Sequence, residues 1–176
     1  MPKNKRDEHR SRLADDKRFN GDDQPVMGVS WFGAMAYCEW LMERQKEKSK
    51  GQKESMIYRL PTEQEWEWAA SCGKREYPWG KEKPDDTRAN YGNKIGQTTP
   101  VGSYPAGATP EGLMDMAGNV WEWMENKYYE EGDEVRALRG GAYYSNADGL
   151  RGSGRNSNLD VRSRGNGFRV CVAGES

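Results

Sequence analysis

Between residues 73 and 112, glycine or proline returns every few positions: Pro78, Gly80, Pro84, Gly92, Gly96, Pro100, Gly102, Pro105, Gly107, Pro110 and Gly112. Proline removes a backbone donor and glycine favours turns, so a helix or a central strand of ordinary length does not fit in this tract. Loops this long inside a compact domain are usually functional or braced by something bound. The chain is therefore expected to be loop-rich, with regular structure on either side. Its composition agrees, since seven Trp, nine Tyr and 21 Gly in 176 residues suit a core of large aromatics set between turns.

On either side of the tract, periodicity returns. Residues 1–24 are nearly all charged or polar, with Leu13 and Phe19 as large apolar exceptions, and read as a mobile or loosely docked arm. The domain proper is expected over 25–176. A short strand is predicted at 26–29, with Ser30 as N-cap of a helix from 31 to about 46. Trp31, Ala34, Met35, Cys38, Leu41 and Met42 fall on one face of that helix. Residues 46–54 read as a polar loop and 56–60 as a strand. Thr62 followed by Glu65 forms a capping box that opens a second helix to about residue 71, with Trp66 and Ala69 or Ala70 inward. Further strands are predicted at 120–124, 135–141 and 167–172. The class is α+β.

Other readings are excluded by charge and residue count. The net charge of −1, with mixed signs, gives no electrostatic case for nucleic acid or anionic lipid. No run approaches the roughly 18 apolar residues of a membrane span. The three cysteines (Cys38, Cys72, Cys171) have no metal-ligand spacing. His9 is the only histidine, which removes most histidine-based catalytic schemes.

Several segments resemble one family in order and spacing, the formylglycine-generating enzymes or sulfatase-modifying factors. Val29-Ser30-Trp31 with Ala36-Tyr37-Cys38-Glu39-Trp40-Leu41 resembles the first helix of that family. Tyr58-Arg59-Leu60-Pro61-Thr62-Glu63-Gln64-Glu65-Trp66-Glu67 resembles its "RLPTEAEWE" signature, and Asp115-Met116-Ala117-Gly118-Asn119-Val120-Trp121-Glu122-Trp123 its "DMAGNVWEW" signature. Tyr77-Pro78-Trp79-Gly80, Ala89-Asn90-Tyr91 and Thr99-Pro100-Val101-Gly102-Ser103-Tyr104 fall between them, and Leu138-Arg139-Gly140-Gly141 and Gly167-Phe168-Arg169 close the set. The resemblance implies a C-type-lectin-like fold with two helices, short antiparallel strands and much irregular structure.

What it implies about activity turns on two positions. The enzymes of this family oxidise a substrate cysteine through two cysteines shortly after the glycine pair. Counting on from Gly140-Gly141, those places hold Ser145 and Leu150. No soft thiolate stands there to hold copper, and the histidine ligands of the sulfoxide synthases that share the fold are also missing. The expectation is a chain that is not an enzyme. An oxidoreductase or accessory subunit with altered chemistry is the alternative.

The same segment has a second property. Between Gly141 and Gly167 only Ala142, Ala147, Leu150, Leu159 and Val161 fall outside the set Gly, Ser, Asn, Asp, Arg and Tyr. Each of those six can be encoded after changing only the adenines of an AAC or AAT codon. This pattern resembles the variable proteins of diversity-generating retroelements, whose varied stretch runs from an "LRGG" start to a "GFR" end, here about 141–168. The resemblance implies a diversified surface for a protein or cell-surface ligand, displayed on a virion or cell. Its residues are Tyr143, Tyr144, Ser145, Asn146, Asp148, Gly149, Ser153, Asn156, Ser157, Asn158, Val161, Ser163 and Arg164. Tyr and Arg supply contact area and planar donors while Ser, Asn and Gly adapt, as in antibody paratopes. Arg151, Arg155, Asp160 and Arg162 would be scaffold, and Tyr143 occupies a place often held by a structural aromatic.

No cofactor is required on this reading. The family's "GNVWE" turn implies a structural calcium ion on the Asp115 and Glu122 carboxylates with the Gly118 and Val120 carbonyls, a hard-oxygen set. Cys38 and Cys171 match places that are bonded in some secreted relatives and here either bond or lie reduced side by side.

Overall fold

The computed structural model describes residues 9–48, 56–129, 135–159 and 162–174. Helix α1 is Trp31–Lys48 and helix α2 Glu63–Ser71. The strands are β1 Met56–Arg59, β2 Trp121–Lys127, β3 Val135–Arg139, β4 Arg155–Leu159, β5 Asn166–Gly167 and β6 Cys171–Gly174. From Cys72 to Val120 the chain holds one 3-10 turn, Pro105–Gly107, and one isolated bridge, Tyr77 to Gly80. The long irregular tract is as expected.

Helix α1 begins where the Ser30 hydroxyl accepts the Gly33 amide at 3.0 Å. Trp31, Gly33, Ala34 and Cys38 are buried along it, with Met35 packed beside them. Helix α2 opens with the full capping box: Glu65 N–H donates to Thr62 Oγ1 at 3.2 Å and Thr62 N–H to Glu65 Oε2 at 2.8 Å. Thr62→Ala is expected to cost about 1 kcal/mol. A melt should show this as a Tm lower by roughly 2–4 °C.

The main sheet has the order β4-β3-β2-β5, antiparallel except for the β2–β5 pair; β1 and β6 form a separate antiparallel ribbon. Alternation along β2 sends Trp121 and Trp123 into a cluster with Trp31, Ala34, Cys38 and Leu138, on the α1 side. Met124 goes the other way, to Trp66, Ala70, Met116 and Ala137 on the α2 side. The sheet is therefore sandwiched, and both cores are built on Trp.

Two expectations differ from the structure. Residues 26–29 are not a strand: Gly28 has φ +71° and its N–H donates to Asn166 O at 2.9 Å. The predicted strand at 167–172 is broken into β5 and β6. The segment before Pro25, read as mobile or loosely docked, is docked over its described part. Phe19 is buried against Met27, Val120 and Tyr143, Arg12 N–H donates to Gly28 O at 2.9 Å, and Gln24 Nε2 to Thr98 O at 2.7 Å. Residues 1–8 and most of the predicted 46–54 loop lie outside the described residues. Among the described residues no helix is long and apolar enough to cross a membrane.

Candidate functional site

Strand β3 delivers the chain to the candidate segment through Gly140 and Gly141, at φ +94° and +79°. A Cβ on Gly141 would stand 2.9 Å from the Gly149 carbonyl oxygen, so glycine is required at this close approach. Alternation places Arg139 on the same face as Ala137, toward α2, and it is only 2% exposed. Its Nε donates to Glu63 Oε1 at 2.8 Å, its Nη2 to Glu67 Oε2 at 2.6 Å and its Nη1 to Gly152 O at 3.1 Å. Arg155, opening β4, donates Nε and Nη2 to the same Glu63, the latter at 2.7 Å, and lies over the Tyr128 ring. Burial pushes the Glu63 carboxyl up, but the hydrogen bonds and charges of Arg155 and Arg139 outweigh it and leave its pKa below the ordinary value. A buried carboxylate with two guanidiniums thus ties down the backbone just before the segment, at Arg139, and in its middle, at Arg155.

The candidate side chains fall into three groups. Tyr144, Asn146, Asp148, Ser153, Asn156 and Arg164 are exposed; Ser145, Gly149, Ser157, Asn158 and Ser163 are half-buried; Val161 lies outside the described residues, as does the scaffold candidate Asp160. Tyr143 is corrected: it is buried, with its ring centroid 6.0 Å from that of Phe19, and belongs to the core. Tyr144 turns out to solvent, and its hydroxyl donates to Arg164 O at 3.1 Å. The ring passes over Gly165, where φ is +98° and a Cβ would lie 2.5 Å from the Tyr144 oxygen. Partial burial raises the Tyr144 pKa. The Arg164 guanidinium rests over Phe19 at 5.5 Å.

Register divides the rest. Asn156 pairs with Leu138 and Asn158 with Arg136, so both share the α1-side face. Ser157 pairs with Ala137 and faces α2. Asn158 Nδ2 donates to Ser163 Oγ at 2.9 Å, linking β4 to the stretch that leads to Arg164. Ser153 stands apart beside the end of α2, lining a cavity of about 330 Å³ with Ser71, Arg75, Glu76 and Lys81. The segment therefore does not form one patch. Arg151 pairs with Glu76 at 2.6 Å.

Sequence reasoning missed Glu63 and Arg139 as the anchors and looked to Asp160 instead. The usable signal was the alternation Ala137, Leu138, Arg139, which points an arginine inward and demands a buried counter-ion. It also missed the loop 92–96, which is held against the segment by Gly92 N–H to Ser145 O and Asn93 N–H to Tyr143 O, both 2.8 Å.

The four residues proposed for calcium were tested on their donors. Glu122 accepts Arg169 Nε at 2.6 Å and Nη2 at 2.7 Å, and also Trp66 Nε1 at 2.7 Å. The same Arg169 Nη2 reaches the Asp115 carbonyl at 3.1 Å, Asp115 Oδ2 accepts Gly102 N–H at 2.7 Å, and the Gly118 carbonyl accepts Val120 N–H at 2.9 Å. Burial raises the Asp115 pKa. Among the described residues no group of three or more His, Cys, Asp or Glu is placed to hold a metal ion. As placed, the Glu122 carboxylate is taken up by Arg169 and Trp66 and the Asp115 carboxylate by the Gly102 amide. Cys38 and Cys171 are both free thiols, Cys38 pushed up to about 11 by burial.

Comparison with known proteins adds two sequence relatives and one protein of similar fold. Hercynine oxygenase of Mycobacterium tuberculosis is 39% identical over 155 residues, covering 76% of this chain and 33% of that protein. Inactive C-alpha-formylglycine-generating enzyme 2 of Bos taurus is 36% identical over 168 residues, covering 85% and 50%. Treponema denticola variable protein 1 superimposes with TM-score 0.68 at 24% identity, covering 88% of this chain and 73% of that one, which shows a shared fold. The chain thus spans about a third to a half of the lengths of those two sequence relatives. The expectation that the chain is not an enzyme is overturned, because hercynine oxygenases are among its well-matched relatives. Ser145 and Leu150 speak only to one thiol chemistry, and two positions cannot decide for a whole family. The model of the sulfatase-modifying factor enzyme 1-like domain matches residues 3–173, nearly the full length, and the chain belongs to that family.

Proposed function

We propose that the chain is a ligand-binding protein of the diversity-generating-retroelement variable kind. Its binding surface is carried by Tyr144, Ser145, Asn146, Asp148, Gly149, Asn156, Asn158, Ser163 and Arg164. The observation behind this reading is a division of labour within residues 141–168. The backbone is held by groups that do not face the ligand, namely the Glu63 cluster, buried Tyr143 and the glycine pair. Apart from Leu159, the exposed side chains described there come from the six adenine-accessible types, while Ala142, Tyr143 and Leu150 are buried. Such a surface can change its side chains without changing its fold, and its mixture of Tyr, Asn, Ser and Arg suits a protein or cell-surface partner.

The test is genetic. A near-copy of the codons for 141–168, differing almost only at adenines, is expected beside a reverse transcriptase gene. Differences spread over all four bases would sink the reading. A second reading, a family oxidoreductase or accessory subunit, draws on the 39% identity to a hercynine oxygenase. It is tested by oxygen uptake with hercynine and ferrous iron supplied.

A further inference from the structure

A cavity of about 330 Å³ opens where the C-terminal end of α2 meets Ser153. Gly152 brings the chain there: its N–H donates to Glu76 O at 2.9 Å, and a Cβ on it would stand 2.8 Å from Ser71 Cβ. Two carboxylates line the cavity, and arginines from outside its wall hold both. Glu67 Oε2 pairs with Arg139 and Glu76 Oε1 with Arg151, each at 2.6 Å. Arg75 is on the wall, but its guanidinium is taken up by Glu111 at 2.8 Å and by the Ala69 and Ala70 carbonyls at 3.4 and 3.3 Å. Lys74, Lys81 and Ser153 line the cavity as well. Among the described residues the two ammoniums pair with no carboxylate, and the Ser153 hydroxyl has no hydrogen-bond partner.

A lysine just past a helix is ordinarily explained by the helix's own carbonyls. Here those carbonyls already have donors. Ser71 Oγ donates to Glu67 O at 2.8 Å, Cys72 N–H to Trp68 O at 2.7 Å, and the Lys74 and Arg75 amides to Ser71 O at 3.0 and 2.9 Å. Arg75 serves the remaining two. The Lys74 ammonium is therefore surplus to the helix end, and Lys81 is surplus to the carboxylates. We propose that this cavity binds the phosphate group of a small ligand through Lys74, Lys81 and Ser153. A phosphate monoester brings a charge of about −1.5 to −2 and three acceptor oxygens, which complements two ammoniums and a hydroxyl. A sulfate ester or a carboxylate brings less charge. The volume lies at the small end of ligand pockets, so a small molecule fits better than a macromolecular surface. The site stands apart from the surface around Tyr144 and does not depend on the reading of that surface.

The probes are glycerol 3-phosphate, inorganic phosphate and methyl sulfate, titrated into the nitrogen-15-labelled full chain while amide shifts are followed. Glycerol 3-phosphate is expected to give saturable shifts centred on Gly73, Lys74 and Ser153, with a Kd of about 1 mM or below. Lys74→Met and Lys81→Met should each weaken it about threefold or more, and the double variant about tenfold. Lys46→Met, on α1 across the sheet, should leave it unchanged. All three lysines are exposed, and unchanged melting curves verify that the variants fold. No saturable shift at about 20 mM glycerol 3-phosphate, or an equal loss with Lys46→Met, would overturn the site. Methyl sulfate binding as tightly would overturn the assignment to phosphate, and inorganic phosphate binding more tightly would overturn the small-molecule ligand.

Discussion

Glu63→Ala is expected to destabilise the domain by about 3–5 kcal/mol, because it takes from Arg139 its buried counter-ion and leaves only the half-exposed Glu67 carboxylate. For a domain of this size that is a Tm fall of roughly 6–20 °C in a thermal melt. The argument is one of burial. Arg139 is 2% exposed and Glu63 5%, so neither can recover water when the other is removed. Glu67, which also meets Arg139, has a 42% exposed side chain, and its replacement by Ala should cost well under half as much. Asp148→Ala, on the outer surface, should stay within about 0.5 kcal/mol. A Glu63→Ala protein melting with wild type would show that the cluster anchors nothing. The pH dependence follows from the same geometry. The folded Glu63 carboxyl is held below its unfolded value, so its stabilisation is present above the unfolded carboxylate range and is lost as acid takes the pH down through the folded pKa.

The second large effect is expected at Glu122. Glu122→Ala removes the partner of Arg169 and of the Trp66 indole N–H together, at a cost of about 3–5 kcal/mol. The double variant Glu122→Ala with Arg169→Met should recover part of that loss, since the stranded charge goes with its partner. Strict additivity of the two single effects, measured by denaturant unfolding, would mean that the pair is not coupled. The pair joins β2 to the segment between β5 and β6, so the same variants should raise hydrogen exchange along β5 before the rest of the sheet opens.

Much of this architecture is legible in local sequence. The Thr62–Glu65 box, the apolar face of α1 and the Gly/Pro tract are short-range patterns whose physics is complete within a few residues. The Trp121 to Met124 alternation is equally local. Residues 26–29 misled because an apolar run alone does not show whether a partner strand is available; Gly28 spends its amide on Asn166, more than a hundred residues away. Phe19 was read with its polar neighbours, although a single aromatic suffices to dock a segment when Tyr143 and Val120 offer it a pocket. The site was half legible. Its residue types and limits are visible in 141–168, and the inward position of Tyr143 was a live expectation. The division of Asn156 and Asn158 from Ser157, the isolation of Ser153 and the attachment of loop 92–96 depend on strand register and long-range hydrogen bonds that composition does not encode.

The contact of Tyr144 with Gly165 has a consequence for any repertoire built on this scaffold. The ring occupies the volume a side chain at 165 would need, and the left-handed backbone there disfavours every other residue. Choices at 144 and 165 are therefore not independent draws. A bulky residue at 165 is compatible only with a small one at 144, and most such combinations are strained even then. The number of usable surfaces is smaller than the product of the options at each position, and a survey of sibling sequences should show that deficit as a correlation between these two columns.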